Sequence, residues 1–134
     1  MRIQRATLLD SYKVHKTLIE YLGDVGQEKQ APDYIGWVER LSDDSQHYLL
    51  LLHGRKVIGM VWGREIRPES KKTLLVEGRF LRRAYRGKHK FVREVFKAQQ
   101  SLSKDFDVVR LLLPKNGVKL KKYKVLGTLV EVSK

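Results

Sequence analysis

The densest chemistry in this chain lies between Arg82 and Lys90. Five cations, Arg82, Arg83, Arg86, Lys88 and Lys90, fall there with Gly87 and His89 and no acid. The nearest carboxylates, Glu77 and Glu94, lie outside the stretch. Unopposed charges this close repel by roughly 1 kcal/mol or less per pair in water, so an anion would offset them. The flanks sharpen this reading. Thr73 to Leu81 (TLLVEGRFL) reads as a strand. From His89 the apolar residues Phe91, Val92, Val95, Phe96, Ala98 and Leu102 change to helical spacing. A helix start after a strand presents free N–H groups and the positive end of a dipole, which suits a phosphate. The alternative is a solvated junction of the kind any α/β protein has. The helical spacing also predicts that Phe91 and Phe96 both face the sheet.

Other chemistries find little support. The chain has no cysteine, and His15, His47, His53 and His89 share no ligand spacing, so no metal site is expected. Arg86-Gly87-Lys88 lacks the remaining residues of a nucleotide P-loop. Ser11 and Ser101 have no nucleophile context. At 134 residues with a formal net charge of +13, one domain is expected, with polyanions as partners: nucleic acid, a nucleotide-like cofactor or an acidic protein. The second basic cluster, Lys115, Lys119, Lys121, Lys122 and Lys124, also falls in the C-terminal half. No apolar run approaches the length of a membrane span, and the first residues do not read as a signal peptide. The expectation is a soluble cytoplasmic protein with no membrane contact.

The elements that must position these residues follow from pattern. Met1 to Ala6 reads as a short strand, and Thr7 with Asp10 as the capping box of a helix ended by Gly23. Pro32 and Asp33 open a second helix that carries Trp37 and Leu41. Gln46–His53 and Lys56–Ile66 read as a hairpin, with Gly59 marking a bulge or a close backbone approach. Tyr48 to Leu52, apolar on both faces, suits a central strand. Asp107 to Leu113 reads as a strand, Val118 to Val125 as a short basic helix, and Thr128 to Val132 as a last strand. The expected class is α/β (α+β), a single domain 1–134, in the order β-α-α-β-β-β-α-β-α-β.

That order resembles the GNAT superfamily of N-acetyltransferases, and the resemblance covers nearly the whole chain. LLLLHGRKVIGMVWG resembles the family's second and third strands, with Gly59 at a typical glycine. FLRRAYRGKHKF resembles the acyl-CoA loop. In NGVKLKKYKVLGTLVEV, Asn116, Tyr123 and Gly127 match the segment written N-x-x-A-x-x-x-Y-x-x-x-G-F. The sequence departs from the pattern at Arg83, where the family has proline, and at Thr128, where it has phenylalanine. His89 and Phe91 stand where the loop keeps small residues, which predicts weak coenzyme A binding. The short C-terminus predicts that the usual seventh strand is missing or comes from a partner. Short basic proteins of this type are similar to some encoded by bacteriophages.

The resemblance implies transfer of acetyl from acetyl-CoA to an amine. It places Tyr123 as general acid for the leaving thiolate, and the backbone N–H near Leu81 on the thioester carbonyl. Arg82, Arg86, Gly87, Lys88, His89, Lys90, Phe91 and Asn116 complete the implied cofactor site. Glu77, read as facing the same side of its strand as Leu75, Arg79 and Leu81, is the nearest carboxylate for a base or water relay. A salt bridge from Glu77 to Arg79 or another arginine is the alternative. Tyr123 packing a helix on the sheet is likewise open. The competing class is an inactive scaffold that binds nucleic acid or an acidic protein through the same cations, with Tyr85, Phe91 and Tyr123 stacking on bases.

Overall fold

The computed structural model describes residues 2–24, 26, 31–112, 123–126 and 129–132, the last two segments by their backbone. Seven strands form one sheet in the order β1-β2-β3-β4-β5-β7-β6. They are β1 (Arg2–Arg5), β2 (Gln46–His53), β3 (Lys56–Ile66), β4 (Thr73–Leu81), β5 (Val108–Leu112), β6 (Tyr123–Leu126) and β7 (Leu129–Val132). Among the described residues three α-helices accompany them: α1 (Ser11–Asp24), α2 (Tyr34–Ser42) and α3 (His89–Ser103). Every strand pair is antiparallel except β4 with β5. A parallel pair needs a long crossover, and α3 supplies it.

The helix starts form as their residues dictate. The Asp10 carboxylate accepts from the Thr7 N–H at 2.9 Å just before α1. Asp33 accepts from the Gly36 N–H at 2.8 Å and starts α2. In β2 the alternation explains a run that is apolar on both faces. Leu49 and Leu51 join the core under α3, with Ile58, Val61, Leu74, Val76, Leu81, Phe91 and Val95. Tyr48, Leu50 and Leu52 join the core under α1 and α2, with Val14, Leu18, Trp37, Met60, Trp62 and Phe80.

The fold class is the expected one, and the differences are local. Residues Tyr123–Leu126 are strand, paired antiparallel from Tyr123↔Val132 to Leu126↔Leu129, where a helix to Val125 was expected. Four residues facing a partner strand gain a ladder that a short lysine-rich helix cannot match, because short helices have a costly nucleus. The seventh strand, expected to be missing or to come from a partner, is therefore present in the chain. Phe96 is not packed into the core as Phe91 is: it is 43% exposed, whereas Phe91 is 3% exposed. At about 100° per residue, Phe91, Val95, Ala98 and Leu102 make one stripe and Phe96 falls on its flank.

Candidate functional site

β4 carries the site. Its β3 edge is paired along the strand, from Thr73↔Ile66 to Leu81↔Gly59. Among the described residues, its β5 edge is paired from Thr73↔Val108 to Val76↔Leu111. The next residue, Glu77, is a bulge, since Trp62 opposes Gly78 and Gly63 opposes Val76.

The bulge resets which side chains face which way. Val76 and Leu81 lie in the core under α3, and Phe80 lies in the core under α1. Glu77 thus stands on the α1–α2 face, against the expectation that it shares a side with Arg79 and Leu81. It lies 3.8 Å from Arg64, which is the expected alternative of an arginine salt bridge, though not with Arg79. Tyr48 on that face has its hydroxyl pKa raised, mainly by burial, with the nearby Glu77 charge adding to the shift. Arg40 Nη1 donates to the Tyr48 hydroxyl at 3.3 Å. Packing fixes the bulge: a Cβ on Gly78 would sit 2.1 Å from Trp62 Cζ2. Gly59 is the expected close approach, since a Cβ there would lie 2.4 Å from the Phe80 carbonyl oxygen.

A groove of about 350 Å³ opens between the C-terminal part of β4 and α3. Arg79, Phe80 and Leu81 form one wall, Val92, Val95 and Phe96 the other, and Arg86 the end. The Arg79 guanidinium sits 5.7 Å over the Phe96 ring, so an exposed aromatic has a cation as its cover. In an extended strand a residue's own N–H and C=O point to the same edge. The Arg82 N–H reaches the Ile58 carbonyl of β3 at 2.8 Å. The carbonyl and N–H of Leu81 therefore point the other way, toward the groove. Arg86 Nε donates to that carbonyl at 2.6 Å.

The basic loop is not unopposed. Arg82 Nη2 donates to Glu20 at 2.8 Å. Arg83 lies 3.8 Å from Asp24, and Arg86 Nη2 also donates to Asp24. The hydrogen bond from Arg86 holds the Asp24 carboxyl below the usual aspartate range, helped by the charges of Arg86 and Arg83. The sequence reading missed these two acids. Their signal is present, as they stand four apart on the last turns of α1 and so share a face. Pairing them with a loop 62 residues away needs the tertiary fold.

The other expected site residues divide. Lys88 precedes α3 with no side-chain cap on the helix. Gly87, His89 and Lys90 are exposed around it. Phe91, expected to crowd the loop, is turned into the core, with its ring 4.9 Å from Tyr85 and 5.6 Å from His53. Its bulk is therefore withdrawn from the anion side. Tyr123 lies in β6, and Asn116 lies outside the described residues. His15 accepts the Trp37 indole N–H at 2.8 Å, a packing role for a half-buried helix residue.

No protein-family model matches the chain, and no curated protein matches it in sequence. Its fold has close counterparts among solved structures. An aminoglycoside acetyltransferase from an uncultured soil metagenomic sample, in complex with sisomicin, superposes with a TM-score of 0.73 at 13% identity, over 85% of this chain and 78% of that one. A possible acetyltransferase from Clostridium difficile gives 0.68 at 16% identity, over 94% and 98%. A ribosomal-protein-alanine N-acetyltransferase from Brucella melitensis gives 0.66 at 15% identity, over 86% and 81%. With a parallel β4–β5 pair, a bulge on β4 and a basic loop that leads into α3, this chain has the fold of the GNAT N-acetyltransferases.

Proposed function

We propose that the chain is an acyltransferase that moves an acetyl group from acetyl-CoA to an amine. The groove between β4 and α3, with the bulge at Glu77 on β4, carries this reading. Acetyl-CoA would supply the acetyl group as an activated thioester. The residues present fit such a molecule. Leu81, Val92, Val95 and Phe96 would hold an apolar arm. The Leu81 N–H points to the same space as a fixed donor for a developing oxyanion. Lys88 and Lys90 are exposed at the loop for phosphates, and Phe91 leaves room by packing inward.

Glu77 is the carboxylate at the β4 bulge, and it would take the proton of the attacking amine, directly or through water. Tyr123, which the family resemblance makes the acid toward the leaving thiolate, lies in β6 at the sheet edge, beyond β5 and β7 from β4, and the proposed chemistry does not use it. The amine class follows the solved counterparts, one an aminoglycoside acetyltransferase and one a ribosomal-protein-alanine N-acetyltransferase.

The test is isothermal titration of acetyl-CoA, followed by thiol release with a panel of amines that includes sisomicin and alanine-first peptides. Saturable binding, lost when Val95→Trp fills the groove, is expected. No binding by the wild-type chain, or equal binding by Val95→Trp, overturns the reading.

A further inference from the structure

The cations of the basic loop fall into two groups that face different neighbours. Arg82, Arg83 and Arg86 turn to α1, where Arg82 pairs with Glu20 and Arg83 and Arg86 share Asp24. Lys88 and Lys90 turn instead toward the β2–β3 turn, which runs from His53 to Lys56 with Gly54 at a φ of 64°. His53 packs on Phe91, and Phe91 on Tyr85, each ring edge to face. The Lys88 and Lys90 ammonium groups lie 5.8 and 4.9 Å over the Phe91 ring. Lys56 lies 5.8 Å over Tyr85. Arg55 is exposed on the same turn.

None of Arg55, Lys56, Lys88 and Lys90 forms an ion pair with a described residue. Two aromatic rings gather the three lysines instead. This difference has a chemical consequence. A carboxylate would cancel the charge it holds, whereas a ring face attracts an ammonium group and leaves its charge intact. The patch is thus held in place and still positive.

We propose that this surface, the β2–β3 turn together with Lys88 and Lys90, docks the phosphate backbone of a nucleic acid. The absence of an apolar anchor favours that partner over an acidic protein. Protein interfaces centre on buried aromatic or aliphatic residues. The large exposed hydrophobics among the described residues, Leu8, Leu9, Tyr12, Tyr34, Ile35 and Phe96, all lie elsewhere. Phosphate contacts need charge alone and carry no sequence information. Three of the four cations are lysines, point charges rather than planar forks, so binding is expected to be indifferent to sequence. Lys88 and Lys90 are shared with the phosphates of the proposed acetyl-CoA, whereas Arg55 and Lys56 belong to this surface alone.

The experiment is fluorescence anisotropy of a labelled 20-base-pair DNA duplex with the full chain, over a series of KCl concentrations. The variants are Arg55→Ala/Lys56→Ala and, as a control on α1, Lys13→Ala/Lys16→Ala. The wild type is expected to bind with an affinity that falls steeply with salt. Arg55→Ala/Lys56→Ala should lower the slope of log K against log salt by about 2, one for each lost phosphate contact, while the α1 control keeps the wild-type slope. Circular dichroism of each variant checks that the fold is retained. For a fold-impaired double variant, Arg55→Ala alone, with a loss of about 1 in slope, serves instead. No binding, equal slopes in the two double variants, or tighter binding of a poly-glutamate peptide than of DNA overturns the proposal. Acetyl-CoA titration of the same proteins reads the groove separately.

Discussion

Arg86 joins three parts of the fold at once: its Nε donates to the Leu81 carbonyl at 2.6 Å, its Nη2 reaches Asp24, and its guanidinium lies 5.3 Å over the Phe80 ring. The end of β4, the end of α1 and the basic loop are therefore tied by one side chain. An acid at the C-terminus of α1 is disfavoured by the helix dipole, and the arginines offset that cost.

The Asp24 contact makes stability depend on pH in a defined direction. The hydrogen bond from Arg86 lowers the folded-state pKa of Asp24. A lowered carboxylate pKa contributes stability above the unfolded value, about 3.9, and loses it as the pH falls below that value through the folded pKa. Wild type should be more stable than Asp24→Asn at neutral pH, and the two should converge in acid. Urea midpoints measured from pH 7 down to pH 2.5 check this. A constant difference across that range counts against the contact.

Phe91 and Phe96 should respond differently to truncation. Phe91 is buried among Tyr85, His53 and the core, so Phe91→Ala should cost about 3–5 kcal/mol. Phe96 is on the groove wall and exposed, so Phe96→Ala should cost roughly 1 kcal/mol or less while removing the cover that Arg79 shares. Urea denaturation of both variants reads the contrast, and equal losses would place both rings in the core.

Gly78→Ala should destabilise by about 1–3 kcal/mol, because its Cβ meets the Trp62 indole. Trp62→Leu should relieve that cost, so the double variant should be more stable than the two single losses add up to. Additive losses would mean that the indole is not what excludes a side chain at position 78.

Under the proposed acetyl transfer, Glu77→Gln should lower kcat at least ~100-fold with little change in KM for acetyl-CoA. Its ion pair with Arg64 is long and exposed, so stability should change by less than about 1 kcal/mol. A stable variant with full kcat removes Glu77 from the chemistry.

Most elements were legible because their patterns are local. The hairpin, β4, α3 and both capped helices follow from periodicity and capping residues within a few positions. What was not legible depends on partners far away in the chain. The alternation of β4 breaks at Glu77 because Gly78 lies under Trp62. The loop arginines find Glu20 and Asp24 across 62 residues. Tyr123–Leu126 pairs with β7, although the basic run that leads into it, read alone, suits a helix as well. The site residues Lys88 and Lys90 were visible as charge, but the rings that hold them were not.

β1 ends the sheet on one side, and its form has a consequence for how copies of the chain meet. It is four residues long, with Arg2 and Arg5 exposed at its two ends. An open strand edge is a template on which another chain can add a strand. A short edge flanked by like charges offers few free hydrogen-bonding groups and repels an identical strand laid beside it. The long apolar strands β2 and β3 are thus shielded from edge-to-edge aggregation by the least apolar strand on that side of the sheet.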